Sequence, residues 1–410
     1  MKLTQALRKY HLGRLTRQIW YAVRERTPID NNVESKLSGL NIKIVDPIDI
    51  FQPKKEFVKI ELPEPIIKVY KPDNTHPDWK NRTCLNYKDH NVLQHGLSQA
   101  QLLLKTILIK NELPQQIEEK EIDISEDIHR LVKRTIYTSN VFDAHQELLP
   151  KRKDPERPAW NFPRDYGLTD IRKTHNLFKK LLQICECVCG PEIVQTRSVY
   201  HNGVACLSIE KESNLLQFAL TFDLALISTN PLKKIEDQNA YMELDFPNIY
   251  PFYPTVSLTK TNIYKTEDLY PIETTTPWSN VHTIFISHNP EEVKNLSELP
   301  VVEDQILARS MIKSFTAAAS NARQKYGSDV KHLPEPITVQ CVESNGKQFH
   351  FSVFQLNTLD INKTEGIRNF WWSSPILELY EEACYKTGKP IFTGYNPEVV
   401  KKLFAFYKNT

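Results

Sequence analysis

The sequence predicts an α/β or α+β fold: a mixed sheet with an antiparallel hairpin, packed by one long helix and preceded by a helical N-terminal half and an extended arm. Three observations carry this. In "EPITVQCVESNGKQFHFSVFQLNT" (Glu335 to Thr358) two alternating strands flank Asn345-Gly346, a dipeptide that type I′ turns favour because both central residues need positive φ. Ahead of it, Val302 to Tyr326 reads as a long helix closed by Gly327, with Leu307, Met311, Ile312, Phe315, Ala318, Ala319 and Ala322 on its buried side. Residues 28–90 carry Pro28, Pro47, Pro53, Pro63, Pro65, Pro72 and Pro77 between short apolar pieces, the pattern of an extended arm with little core of its own.

The first residues, "MKLTQALRKYHLGRLTRQIWYAVRERTP", hold Lys2, Arg8, Lys9, Arg14, Arg17 and Arg24 before the first acid, Glu25. Leu12, Leu15, Ile19 and Val23 recur at helical spacing. A basic amphipathic helix without acids is expected of a mitochondrial presequence, here residues 1–27; the competing readings are a basic surface helix or an RNA-binding arm. After the arm, a helix is expected over Asn91 to Lys110 and another over Ser125 to Thr138, opened by Ser125 with Glu126 and Asp127 in its first turn. A third begins at Thr169-Asp170 and stops at Gly190-Pro191, completing a helical region over 91–190. From about Ile193 the pattern turns to strands: "GVACLSIEK", "LLQFALTFDLALIS" and "VHTIFIS", separated by turn residues and by the proline-aromatic stretch Phe246 to Pro254. With the long helix, the hairpin and two short helices near Pro375–Lys386 and Pro397–Tyr407, residues 191–410 form the expected core domain.

Composition narrows the function. The 410 residues carry a net charge of +2, too balanced for a surface that coats nucleic acid, so any RNA contact is local. Eleven glycines against 26 prolines argue against phosphate-cradling loops. No run of 18 apolar residues exists, so no membrane span is expected. Seven cysteines, an odd number, fit a reducing interior better than a disulfide framework. Three of them, Cys185, Cys187 and Cys189, alternate at the end of the third helix. Helical residues two apart point about 200° apart, so Cys185 and Cys189 share a face and Cys187 points away. With no second cysteine pair to complete four ligands, these are expected to be structural.

Known catalytic constellations are missing. No pair of glycines fits G-x-G-x-x-G. Gly388-Lys389 fails as a P-loop, since Ala383 stands at the first glycine and Pro390 at the hydroxyl position. Neither H-E-x-x-H nor G-x-S-x-G occurs. His350, between Phe349 and Phe351, is expected on the outward face of an amphipathic strand. No cofactor or metal is expected.

Two stretches read as contact surfaces. Pro150 to Gly167, "PKRKDPERPAWNFPRDYG", sets Lys151, Arg152, Lys153, Arg157 and Arg164 beside Trp160, Phe162 and Tyr166. Cations pair with phosphates and rings stack on bases, so Lys151, Arg152, Lys153, Arg157, Arg164 and Trp160 are candidates for RNA binding, with a bland solvated loop as the equal alternative. In "RNFWWSSP" (Arg368 to Pro375), Trp371 and Trp372 anchor either the protein's own core or a protein interface.

The hairpin also carries a resemblance. "EPITVQCVESNGKQFHFSVFQLNTLDINKTEGIRNF" (Glu335 to Phe370) closely resembles the C-terminal signature of the mitochondrial large-subunit ribosomal protein thirty-seven family. "SFTAAASNARQKYG" (Ser314 to Gly327) fits the same family, as does His90 to Pro114 more loosely. The resemblance implies a structural component of the mitochondrial ribosome, located in the matrix, with no catalytic residues. It implies contacts to large-subunit rRNA and to other mitoribosomal proteins, among them a related paralogous subunit as heterodimer partner. The alternatives are a mitochondrial matrix enzyme, marked by a closed polar pocket within Ile193 to Thr358, and a ribosome-assembly or apoptosis-linked binding protein.

Overall fold

The computed structural model describes residues 31–46, 83–141, 145–149, 159–262, 268–288, 299–386 and 389–410, with isolated positions between these runs. The presequence reading of 1–27 and most of the arm lie outside them. The chain divides into two compact units, residues 1–69 and 70–410. Within the first, a short helix α1 (Val33–Gly39) buries none of its side chains.

The second unit runs, in order, through β1 (Thr83–Lys88), α2 (Gly96–Leu104), β2 (Thr106–Lys110), α3 (Gln115–Glu118), α4 (Glu126–Val141), β3 (Glu147–Leu148), β4 (Tyr166–Gly167), α5 (Asp170–Val188), α6 (Pro191–Val194), β5 (Arg197–Lys211) and β6 (Asn214–Ser228). Then follow β7 (Thr259–Asn262), β8 (Asn280–Ser287), α7 (Glu303–Tyr326), β9 (His332–Ser344), β10 (Gln348–Thr358), β11 (Asn369–Ser373), β12 (Leu377–Glu378), β13 (Glu382–Lys386), β14 (Lys389–Thr393) and α8 (Glu398–Lys408).

The mixed sheet is as expected. Ten strands join along the path β2-β11-β10-β9-β8-β6-β1-β7, with β12 on β10 and β5 on β6. The pairs β1–β6, β8–β9 and β2–β11 are parallel, and the two long hairpins are antiparallel. One face is covered by α7 and α2, the other by α4, α5 and α8, and each face has its own apolar core. Burial on both sides explains why β9 and β10 read as nearly continuous runs of apolar and small polar residues. Successive residues alternate faces, so Trp371 enters the core beneath α7 and Trp372 the opposite one.

The long helix lies against the sheet because its contact side is small: Ala308, Ser310, Ser314, Ala318 and Ala322 are all buried. Its hydroxyls cost little there, since Ser314 and Thr316 donate back to the carbonyls of Ser310 and Ile312 at 2.8 Å each.

Several local expectations are corrected. The helix expected over Asn91–Lys110 ends at Leu104; Lys105 takes φ 51° and the chain reverses into β2. The segment "TILIK" is rich in β-branched residues and completes the edge of the sheet beside β11. The short helix expected near Pro375–Lys386 is strand instead, in β12 and β13, with β13 paired to β14. Asn345-Gly346 does mark the hairpin, but Gly346 alone takes positive φ, at 93°. Asn345 stays at negative φ, and its Oδ1 accepts from the N–H groups of Lys347 and Gln348 at 3.0 and 2.8 Å. The two-residue loop with both residues at positive φ is Glu212-Ser213, at 50° and 65°, between β5 and β6. His350 is buried, not outward, because β10 has no solvent face.

Candidate nucleic-acid interface

The segment between α4 and α5 is closed at its base by a strand pair that joins its two ends. β3 and β4 pair Glu147 with Gly167 and Leu148 with Tyr166, and Leu149 N–H donates to the Asp165 carbonyl at 2.9 Å. Arg164 reinforces this base from its side chain. Its Nε donates to the Leu149 carbonyl at 2.8 Å and its Nη2 to the Leu148 carbonyl at 3.3 Å. Arg164 therefore holds the base closed, and only part of its guanidinium faces outward.

At the tip, the Trp160 N–H donates to the Arg157 carbonyl at 3.0 Å, closing a turn. The Arg157 guanidinium lies 4.8 Å from the centroid of the Trp160 ring, a cation–π contact. The Trp160 ring stands 6.1 Å from that of Phe162. Trp160 is 60% exposed and Tyr166 71%, and Lys151 and Arg157 are exposed beside them. Of the sequence candidates, the structure brings Arg157 and Trp160 together and uses Arg164 as a brace. Arg152 and Lys153 lie outside the described residues. A cation fixed over an exposed indole offers a charge for a phosphate and a face for a base.

Trp371 and Trp372 lie in the protein's own core, 0% and 3% exposed. Trp371 lies tilted against His350 at 5.7 Å, and Trp372 lies edge-on to Phe370 at 6.0 Å. The His350 Nε2 pairs with Ser373 Oγ at 2.8 Å, and burial pushes the imidazole down to about 3, so it is a neutral core residue. The cysteine trio behaves as its spacing predicts, with Cys185 and Cys189 buried and Cys187 exposed. Burial raises the Cys185 and Cys189 thiols, the opposite of what a metal or redox centre needs. Among the described residues no group of His, Cys, Asp or Glu could hold a metal ion, and no helix is long and apolar enough to cross a membrane.

Sequence reasoning missed a buried charged cluster between α7 and the sheet. Lys313 Nζ lies 2.7 Å from Asp89 Oδ1 and donates to the Thr221 carbonyl at 2.6 Å. The Thr221 hydroxyl donates to Asp89 Oδ2 at 2.9 Å. One turn earlier, Ser310 hydrogen-bonds Glu343, a carboxyl that burial pushes up to about 7 against the pull of Arg309 and Lys313. These groups come from four distant stretches, so no local pattern could announce them. The cavity beside Glu343, also lined by His288 and His350, measures about 50 Å³, room for about one or two waters rather than a metabolite.

A family model described as mitochondrial 28S ribosomal protein S30 (PDCD9) matches residues 290–410. Curated relatives are similar over most of the chain. A protein named large ribosomal subunit protein mL37 from Rattus norvegicus is 27% identical over 350 residues, covering 82% of this chain and 77% of the relative. The mL37 of Gallus gallus is 27% identical over 346 residues, covering 80% and 74%. That of Bos taurus is 27% identical over 350 residues, covering 82% and 77%. The resemblance read from Glu335 to Phe370 is thus borne out over about four-fifths of the chain.

Proposed function

We propose that this chain is a structural component of the large subunit of the mitochondrial ribosome, and that it acts by contact rather than by catalysis. The similarity to mL37 proteins over about four-fifths of the chain is the observation that carries this reading. The family-model match, confined to 290–410, carries a small-subunit style of name but is also mitoribosomal; the longer matches favour the large subunit. The reading is consistent with what the fold provides: a sheet covered by helices on both faces and an exposed cation–aromatic pair between α4 and α5.

The finer parts rest on the residues. The basic presequence pattern of 1–27 supports import into the matrix. The Arg157–Trp160 pair on its closed base supports a local contact to large-subunit rRNA, with Lys151, Arg152 and Lys153 adding charge. A related paralogous subunit is the proposed heterodimer partner, as the family resemblance implies. Tagged protein expressed in mitochondria should co-sediment with large-subunit markers in high magnesium, once per particle. Retention in light gradient fractions, while those markers sediment normally, would sink the reading; clear substoichiometry in mature particles would mark an assembly factor instead.

A further inference from the structure

The loop between β6 and β7 has the opposite character to the basic loop. From Ile235 to Leu258 it reads "IEDQNAYMELDFPNIYPFYPTVSL", with Glu236, Asp237, Glu243 and Asp245 and no lysine, arginine or histidine. Its tip exposes three aromatic side chains within four residues: Tyr250 at 87%, Phe252 at 42% and Tyr253 at 74%. A cluster of exposed rings on a folded surface marks an interaction site.

The tip is held in place from behind. Gln99 on α2 is fully buried and donates its Nε2 to two carbonyls of the loop, Pro254 at 2.9 Å and Val256 at 2.7 Å. The Phe252 ring packs 4.6 Å from that of His95. The Tyr250 N–H donates to Asn248 Oδ1 at 2.9 Å, and the Phe252 N–H to the Ile249 carbonyl at 3.0 Å. A backbone fixed in advance loses little entropy when the rings dock, which is what an anchor residue requires.

Aromatic faces suit either a base or an apolar protein pocket, so charge decides between them. Four carboxylates on the loop repel a phosphate backbone. Two more, Glu303 and Asp304, are exposed at the start of α7, and Gly96 lies so close to the Asp304 backbone that a Cβ there would approach it to 2.9 Å. That contact sets the acidic start of α7 beside His95 and hence beside Phe252. The bordering cations are largely spent: Lys234 pairs with Asp237 at 2.6 Å, and Arg368 stacks 4.8 Å over Phe246 while donating to the Leu244 carbonyl. Lys233 and Lys260 remain, one at each end of the loop.

We propose that this tip is a docking surface for a protein segment rich in lysine and arginine around an apolar pocket, and not for RNA. Tyr250 and Tyr253 enter the pocket, and the carboxylates meet its basic rim. The proposal rests on the ribosomal reading only for where the partner is met.

The test places the photoreactive amino acid p-benzoylphenylalanine at Tyr253 of the full chain in intact mitochondria, with the same group at exposed Glu210 as control. Irradiation should give a nuclease-resistant adduct that maps by mass spectrometry to a peptide with more Lys and Arg than Asp and Glu. Its yield should fall at least five-fold in a Glu243→Lys, Asp245→Lys background whose melting temperature is unchanged. A nuclease-sensitive adduct, an adduct on a net acidic segment, or a yield no greater than at Glu210 overturns the proposal. Sedimentation of the chain in the same extracts reports separately on the ribosomal reading. A basic protein adduct on a chain that does not sediment with the large subunit would leave this inference standing and remove that one.

Discussion

Asn409 and Gln340 face each other in the interior: Asn409 Nδ2 donates to Gln340 Oε1 at 2.8 Å. Gln340 completes the link by donating its Nε2 to the Phe406 carbonyl at 2.9 Å and to Thr283 Oγ1 at 2.8 Å. The Asn409 carbonyl accepts from Arg197 Nη2 at 2.6 Å and lies 2.7 Å from His282 Nε2. A carbonyl only accepts, so the neutral His282 carries its proton on Nε2. The last helix is thereby tied to the centre of the sheet through buried polar groups. Asn409→Ala should lower stability by about 2 kcal/mol, as expected for an orphaned buried network. Gln340→Ala should cost a similar amount, and the double variant should cost clearly less than the sum. Denaturant titration of the three variants measures this; additive losses would mean the pair is not coupled.

The Asp89–Lys313 contact makes an asymmetric prediction. Lys313 has a side chain 4% exposed, whereas that of Asp89 is 33% exposed. Removing the carboxylate strands a buried ammonium, so Asp89→Ala should destabilise by about 3 kcal/mol, while Lys313→Met should cost far less. In the double variant most of the Asp89→Ala loss should return. Thermal melts of the four forms decide it.

Stability should depend on pH in two opposed ways. Glu343 has its folded pKa raised from 4.5 to about 7, chiefly by burial. Its contribution is therefore fully present below its unfolded pKa and is lost as pH rises through about 7, a loss of up to about 3 kcal/mol. His282 and His350 are depressed from 6.5 to about 3 by burial. Their contribution is present above pH 6.5 and is lost as pH falls toward 3, at about 1.4 kcal/mol per pH unit for each. Glu343→Gln should flatten the decline between pH 5 and 7. His350→Gln should flatten part of the acid limb, and a pH series of melting temperatures for both would reveal either slope unchanged if the assignments are wrong.

In the basic loop, charge and stacking should separate. Replacing Lys151, Arg152, Lys153 and Arg157 by alanine should weaken incorporation into the large subunit most at low salt and reduce the salt slope, since each phosphate contact contributes to it. Trp160→Ala should weaken RNA binding by about ten-fold with the salt slope nearly unchanged, because stacking releases no counterions. Filter binding to transcribed large-subunit rRNA at several salt concentrations distinguishes these outcomes from a bland loop, for which neither variant changes anything.

The hairpin turn gives a local test. Gly346 takes φ 93°, and a Cβ there would meet Thr174 Oγ1 at 2.9 Å. Gly346→Ala should cost about 1–2 kcal/mol from backbone strain plus crowding. A melting temperature equal to that of the parent would show that the turn can relax.

Much of this protein could be read from short-range pattern, because short-range pattern is where propensity acts. The long helix, its Gly327 stop, the β9–β10 hairpin and the facing of Cys185 away from Cys187 all follow from spacing of three or four residues, or of two. Where the reading failed, distant groups had overruled local preference. "TILIK" left its helix because β11 offered an edge to pair with. Glu212 and Ser213 hold the positive-φ turn that Asn345-Gly346 was expected to supply, supported by the Glu212 N–H donating to Asn362 Oδ1 at 3.0 Å. His350 moved inside because α7 covers a face that its strand alone could not reveal. The sequence by itself determined the fold class, the family likeness in Glu335 to Phe370, and the basic aromatic loop, all of which reside in contiguous residues. Only the tertiary structure decided that Trp371 and Trp372 are core, that Arg164 is a brace while Arg157 and Trp160 face outward, and that Asp89, Lys313 and Glu343 share one buried cluster. Those assignments depend on which surfaces meet across hundreds of residues, and burial, not spacing, sets them.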